Sequence, residues 1–360
     1  MKTLYINGKY LSQPVTGVQR YAAGVIEAWD RLLGDGEIDP AVYRFRLLAP
    51  RTQRAIPRFG HIEIIQCHLG NRVWEQIELP LRSTGSVLFS PYGAAPLWKG
   101  RHFVTIHDAG AAATPQQYSP LFCKYYSFAY SQLGRSCEAM FTVSEFSRTE
   151  LHRYFGIPMR KISVIPPGCD HLTKVPSDPL ILGRAGLSPG KFILGVSSQS
   201  PIKNFEGLVR AWKELGRTDL SLAIAGKANS RVFQGNGIAD DPAVVRLGYV
   251  SDGELRTLYE NAAVFVYPSY YEGFGIPPVE AMTCGCPVVA AHGSSLPEAC
   301  GNAALYCDPS SPEDIAAKIA SILDNAKLAE ELRMLGRQRG LQFTTRSAAL
   351  QLWTEIERCL

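Results

Sequence analysis

The run Val264-Phe265-Val266-Tyr267, the segment Tyr271-Glu272-Gly273-Phe274-Gly275-Ile276-Pro277-Pro278-Val279-Glu280-Ala281-Met282, and the run Val288-Val289-Ala290-Ala291 decide the fold. Two short apolar runs flank a segment in which Pro277-Pro278 starts a helix and Gly285 ends it, so the whole reads as one βαβ unit. Within it, two glutamates flank a Gly-x-Gly loop. Glu272 is expected in the loop and Glu280 in the first turn of the helix, which lets both carboxylates point into the space beyond the carboxyl ends of parallel strands, where such sheets bind ligands. Carboxylates there accept hydrogen bonds from several hydroxyl groups, as sugars require, and the glycines let backbone N–H groups approach a ligand closely.

Working outward, the same alternation of strand and helix occurs twice. Strands are expected at Thr3–Asn7, Phe45–Ala49, Ile62–Gln66, Val87–Ser90, Phe103–His107, Phe141–Ser144 and Ile162–Ile165. A second set is expected at Phe192–Val196, Leu220–Ala225, Val264–Tyr267, Val288–Ala291 and Ala304–Cys307. Between them, Pro166-Pro167-Gly168 and the proline-punctuated stretch Thr173–Ser188 form the natural hinge. Ser251-Asp252-Gly253-Glu254 is a capping box opening a helix to about Asn261, and Ser311-Pro312-Glu313-Asp314 opens another. The chain closes on a helix from Thr345 to Leu360, with Leu350, Trp353 and Ile356 along one side.

Length and composition agree with two cores. The chain has 360 residues, 46% hydrophobic and 19% charged, which excludes disordered, collagen-like and coiled-coil classes. No apolar run approaches the ~20 residues of a membrane span, and the first residues are too polar for a signal peptide, so a cytoplasmic protein is expected. The nine cysteines include no Cys-x-x-Cys pair and are expected as buried thiols rather than disulfides or zinc ligands. Residues 1–169 hold 19 Lys and Arg against 12 Asp and Glu, whereas the rest hold 18 against 21. A basic first half suits an anionic surface but is too sparse for a nucleic-acid partner.

Three further places follow strands. Val15-Thr16-Gly17-Val18-Gln19-Arg20 sets Gly17 at the start of a helix whose apolar face is Val18, Tyr21, Ala22, Val25, Ile26 and Trp29, and a helix N-terminus favours an anion. His107-Asp108 ends a strand, where a histidine can donate a hydrogen bond to a ligand hydroxyl. Ser197-Ser198-Gln199-Ser200-Pro201-Ile202-Lys203-Asn204-Phe205 brings Lys203 to a helix start, and Lys227 stands one strand over, a pair suited to phosphates.

Glu272 through Glu280, with Ala281-Met282 and Cys284-Gly285-Cys286-Pro287-Val288-Val289 after it, resembles the Glu-x7-Glu signature of retaining glycosyltransferases of family 4, which have the GT-B fold. The likeness extends to the Gly17 loop, His107-Asp108, Thr142–Ser147, Val164–Gly168, Lys203-Asn204, Gly226-Lys227 and Phe343-Thr344-Thr345. It implies two Rossmann-like, doubly wound parallel-sheet domains facing a cleft. Residues 1–170 would bind the acceptor and 171–342 the nucleotide sugar, with the helix at 343–360 returning to the first domain.

By the same resemblance, Glu280 would hold the ribose and Glu272 would lie at the transferred sugar. Gly273, Phe274, Gly275 and Ile276 would offer backbone contacts to sugar and phosphate. Lys203 would bind the diphosphate and His107 a hydroxyl of the donor sugar, with Ser198 and Asn204 also among the donor-binding residues. Gly17 and Val18 would close on the phosphates, and Tyr249 and Val250 would take the base. The family's arginine ahead of the lysine is missing here, and Lys227 is its expected substitute. The catalytic set is then Glu272, His107 and Lys203.

No Asp-x-Asp is present to hold a divalent cation, so no metal or other cofactor is expected. The expected reaction is front-face transfer of a hexose, from GDP-mannose ahead of a UDP-sugar, to a glycan or polyprenol-diphosphate-linked acceptor. Tyr118, Leu121, Phe122, Tyr125, Tyr126 and Phe128, with Arg51, Arg54, Arg58, Arg72 and Trp74, would make an aromatic and basic face for an anionic membrane. A nucleotide-sugar epimerase or a non-catalytic nucleotide-sugar-binding protein is the alternative. A nicotinamide-dependent enzyme is disfavoured, because no Gly-x-Gly-x-x-Gly follows the first strand.

Overall fold

The computed structural model describes residues 1–197, 200–226 and 244–360. They divide into two units, Met1–Gly168 with Thr345–Leu360, and Cys169–Thr344. The first is built on strands β1 (Lys2–Asn7), β2 (Tyr43–Ala49), β3 (Glu63–Gln66), β4 (Val87–Ser90), β5 (His102–Thr105), β6 (Ala139–Thr142) and β7 (Ile162–Val164), in the order 3-2-1-4-5-6-7. The second uses β8 (Phe192–Val196), β9 (Ser221–Ala225), β10 (Val244–Gly248), β11 (Val264–Tyr267), β12 (Val288–Ala291) and β13 (Ala304–Cys307), in the order 10-9-8-11-12-13. Every neighbouring pair runs parallel. Each sheet is therefore doubly wound, with its order reversing between β1 and β4 or between β8 and β11, and loops leaving those strands part to opposite faces and open a crevice.

Two strand expectations needed correction. β5 stops at Thr105, so His107 lies in the loop beyond it. β10 was not expected from the sequence: it is an edge strand bonded only to β9, and its exposed Arg246 breaks the apolar run.

The helices used below are α1 (Gly17–Gly34), α2 (Pro120–Ser136), α3 (Glu145–Phe155), α4 (Phe205–Leu215), α5 (Asp252–Asn261), α6 (Ile276–Thr283), α7 (Pro312–Leu323) and α8 (Thr345–Glu357). The expected capping box opens α5: the Ser251 hydroxyl accepts from the Glu254 N–H while the Glu254 carboxylate accepts from the Ser251 N–H. Ser311 caps α7 by accepting from the Asp314 N–H, with proline at the first helical position. All nine cysteines are free thiols, six of them buried and Cys123, Cys284 and Cys359 half-buried.

The first core is closed by the end of the chain. α1 buries Tyr21, Ala22, Val25, Ile26 and Trp29, and the Trp29 indole donates to the Ala349 carbonyl of α8 at 2.8 Å. Trp353 of α8 lies 4.8 Å from the Tyr43 ring and 5.0 Å from the Phe45 ring. Gly168 lies so close to α8 that a Cβ there would stand 2.3 Å from the Thr345 backbone, so no larger residue fits. Trp353→Ala is expected to cost about 3 kcal/mol or more, read as a lower denaturant midpoint; an unchanged midpoint would show that α8 does not stabilise the first unit.

Candidate functional site

In the second unit, four loops meet beyond the carboxyl ends of β8, β9, β11 and β12. The loop after β8 is tied to the loop after β11, because the Ile202 carbonyl accepts from the Tyr270 N–H at 2.9 Å and from the Ser269 hydroxyl at 3.2 Å. That stitching brings Lys203 to Glu272, and the ammonium donates to the carboxylate at 2.6 Å. Both side chains are largely buried, 18% and 11% exposed, a setting in which one charge without the other is costly. The Tyr267 hydroxyl, at the end of β11, bonds Glu272 and Ser197, and the Lys203 ammonium lies 5.9 Å above the Tyr267 ring centre. Burial first, and then the Glu272 charge, push this phenol well above its usual range, so it stays a neutral donor.

The Glu272 backbone is pinned on the other side. Its N–H donates to the Ser294 hydroxyl at 3.1 Å, and its carbonyl accepts from the Ser295 hydroxyl at 3.0 Å, both in the loop after β12. Gly275 has φ +100°, and a Cβ there would come within 2.5 Å of the Leu296 side chain, so only glycine makes this turn into α6. The residue at the N-cap of α6 is Gly275 itself, so no N-cap side chain covers the helix start. Phe274 is buried, its ring 5.1 Å from the Phe343 ring.

Glu280 departs from the expected position. α6 begins at Ile276, which places Glu280 in the second turn rather than the first. Its carboxylate is buried, accepts from the Tyr259 hydroxyl of α5 at 3.4 Å, and lies 3.5 Å from His171 Nε2.

Asn204 takes a left-handed conformation, φ +55°, and caps α4 by accepting from the Gly207 N–H while its amide nitrogen donates to the Pro309 carbonyl at 2.6 Å. Its side chain thus aims Lys203 by shaping the turn. Gly226 ends β9 with φ +133°, against the Ser197 carbonyl, where a Cβ would lie 1.8 Å away. Tyr249 is 79% exposed and Val250 half-buried just ahead of α5. Ser198 and Lys227 lie outside the described residues.

In the first unit, Gly17 is the exposed first residue of α1, and no side chain caps that helix. His107 is held by its surroundings: the Ser147 hydroxyl of α3 donates to its carbonyl at 2.9 Å, and the Thr142 hydroxyl bonds the Ile106 carbonyl at 2.7 Å. These bonds give Thr142 through Ser147 their purpose. The Pro91 carbonyl, 3.3 Å from His107 Nε2, can only accept, so Nε2 carries the proton and Nδ1 accepts. With Nε2 engaged by the Pro91 carbonyl, Nδ1 is the ring nitrogen left as an acceptor. His107 and Val18 line a cavity of about 280 Å³ in this unit.

Tyr267, Tyr259 and His171 were missed from the sequence. Tyr267 alone carried a signal, as the last residue of an expected strand. Trp74, expected on an exposed aromatic face, is fully buried.

Two doubly wound parallel-sheet units of this kind define a GT-B glycosyltransferase fold, and solved structures share it. Sucrose-phosphate synthase from Thermosynechococcus elongatus superposes with a TM-score of 0.77 at 18% identity, covering 99% of both chains. Anabaena HepE, solved with UDP and glucose, gives 0.74 at 16% identity over 99% of this chain and 100% of its own. Residues 186–339 match the family described as Glycosyl transferases group 1, and residues 83–171 match Glycosyltransferase Family 4. O-antigen chain mannosyltransferase B of Escherichia coli is 32% identical over 261 residues, 70% of this chain and 68% of that protein. MMP alpha-(1->4)-mannosyltransferase of Mycolicibacterium hassiacum is 29% identical over 253 residues, 67% of this chain and 59% of that protein. The chain belongs to glycosyltransferase family 4.

Burial lowers His107 to about 4, against the opposing effect of its bond to Pro91, and lowers the buried His102 of β5 to about 3. Their ordinary value is about 6.5, so between those limits the unfolded chain binds more protons and stability rises with pH. The contribution is complete above pH ~6.5 and lost as pH falls toward 4. The urea midpoint is expected to fall over this window less steeply in His107→Gln than in the parent; parallel slopes would show that His107 is not held neutral.

Proposed function

We propose that this glycosyltransferase moves a hexose, with retention of configuration and without a metal, from a nucleotide sugar to a glycan or polyprenol-diphosphate-linked glycan in cell-surface polysaccharide synthesis. GDP-mannose is the favoured donor and a UDP-sugar the second. The observation that carries the reading is the buried Lys203–Glu272 pair at the β8–β11 reversal, with Glu280 buried on the helix that follows. Two mannosyltransferases among the relatives support the donor sugar.

Glu280 takes the ribose hydroxyls, and the backbone of Gly273, Phe274, Gly275 and Ile276 takes sugar and phosphate oxygens. Tyr249 and Val250 take the base. Gly17 and Val18 contribute to the phosphates, and His107 Nδ1 accepts from a hydroxyl of the donor sugar. The diphosphate draws the Lys203 ammonium toward itself, which leaves the Glu272 carboxylate beside the anomeric carbon. The bond from that carbon to the phosphate oxygen breaks, and an oxocarbenium-like centre forms next to Glu272. The departing oxygen then takes the proton of the acceptor hydroxyl as that hydroxyl bonds to the carbon from the same face. Glu272 stabilises positive charge and does not bond to the sugar.

Glu272→Gln is expected to lose about 10²-fold or more in GDP-mannose turnover with modest loss of GDP binding, whereas Lys203→Ala loses GDP binding itself. Transfer is expected to survive EDTA, and the product to carry the donor's anomeric configuration by NMR. An inverted product, a sugar adduct found on a side chain by mass spectrometry, or loss of transfer in EDTA would each refute the corresponding part.

The reading places the enzyme at the cytoplasmic face of an anionic membrane. Val73, Ile77 and Leu81 recur at helical spacing and are all more than half exposed, as are Trp98, Leu121 and Phe128. Sedimentation with vesicles containing anionic lipid, and not with neutral ones, is expected; recovery in the supernatant with both would remove the membrane from the proposal.

A further inference from the structure

The loop after β12 carries two adjacent serines, and each gives up a local advantage to reach Glu272. Ser294 has φ +50°, in the left-handed region where a serine is strained and a glycine is not. A glycine would make the same turn at no such cost. What it would lack is a hydroxyl, and the Ser294 hydroxyl accepts from the Glu272 N–H at 3.1 Å.

Ser295 stands at the N-cap of the short helix Leu296–Cys300, where a serine side chain ordinarily accepts from a backbone N–H of the first turn. Here it makes no capping bond. Its fully buried hydroxyl donates instead to the Glu272 carbonyl at 3.0 Å. Leu296 follows, and its side chain occupies the space a Cβ on Gly275 would need, 2.5 Å away. Three consecutive residues of one loop therefore fit the segment from Glu272 to Gly275.

Fixing the N–H and the C=O of one residue fixes its φ and ψ, and with them the direction in which its Cβ leaves the backbone. The far end of the Glu272 side chain is fixed separately, by the Lys203 ammonium at 2.6 Å and the Tyr267 hydroxyl. A loop that only joined β12 to the next helix would keep its cap and its unstrained turn. This one forgoes both at neighbouring residues, and the two hydroxyls turn to the same partner.

We propose that Ser294 and Ser295 are positioning residues for glycosyl transfer, which aim the Glu272 carboxylate at the carbon where positive charge develops. The assignment rests on the transfer reading given above for Glu272. It adds that the Ser294 hydroxyl governs the rate through Glu272 alone. Stabilisation of a developing charge depends steeply on the placement of the stabilising group, so a displaced carboxylate lowers turnover while the nucleotide still binds.

The test uses the full-length enzyme and measures nucleotide release from GDP-mannose and from UDP-glucose, GDP affinity by calorimetry, and the urea midpoint. Ser294→Ala removes the hydroxyl and keeps the strained backbone, whereas Ser294→Gly removes both. Both variants are expected to lose about ten-fold in kcat, with GDP affinity at the parent value and the midpoint of the glycine variant above that of the alanine variant. Rate then follows the hydroxyl and stability follows the strain. In a Glu272→Gln background, Ser294→Gly is expected to cost no further rate, because the group it aims is already gone. A rate that tracks the midpoint, with the glycine variant near the parent and the alanine variant low, would overturn the proposal, as would loss of GDP affinity in step with turnover or a full additional loss in the Glu272→Gln background. Parent-like turnover by Glu272→Gln, or a parent that releases nucleotide from neither donor, would instead strike the transfer reading on which the assignment rests.

Discussion

An ammonium and a carboxylate held out of water have to find each other, and the pairing of Lys203 with Glu272 constrains much of the second unit. Left alone, either charge would be strongly unfavourable at such low exposure, so the loops that carry them must arrive in register. The register is set by backbone: the Ile202 carbonyl receives Tyr270 and Ser269, while the two hydroxyls after β12 grip Glu272 from behind. Asn204 and Gly275, each in a left-handed conformation, bend the chain so that this can happen. The two side chains are thus held in place by the backbone around them, their positive and negative charges neutralising one another.

Much of this was legible in the residues. Apolar runs bounded by turn formers placed most of the strands, because buried parallel strands leave an unbroken hydrophobic signature. The capping box at Ser251 was legible because it is local, with both hydrogen bonds lying within four residues. The Glu272 to Glu280 segment stood out in the sequence because loop glycines and paired acids rarely serve a core. What could not be read was long-range. Nothing near Tyr267 in the chain tells that its hydroxyl meets Glu272, and nothing near Trp74 tells that it is sealed inside rather than presented outside. β10 escaped because an edge strand with a single neighbour does not need the apolar pattern that identifies the others.

The helix carrying most of the aromatics illustrates the same limit. Composition marked Tyr118 to Phe128 as one apolar surface, but the helical turn sorts it into two. Rings four residues apart face the cavity, and Leu121 and Phe128, seven apart, face outward, with Trp98 6.4 Å from Phe128. Which side a residue serves is decided by its angle around the axis, which the composition of the segment does not reveal.

The return of α8 to the first unit has a consequence for biosynthesis. Residues up to Gly168 leave the ribosome before α8, and their core lacks the Trp353 ring and the carbonyl that satisfies the Trp29 indole until α8 has been made. The second unit is a single uninterrupted stretch and can complete its packing earlier. Emergence and maturation therefore run in opposite orders: the half that is synthesised first is the half finished last, and throughout elongation it waits with an open apolar seam of the kind molecular chaperones recognise.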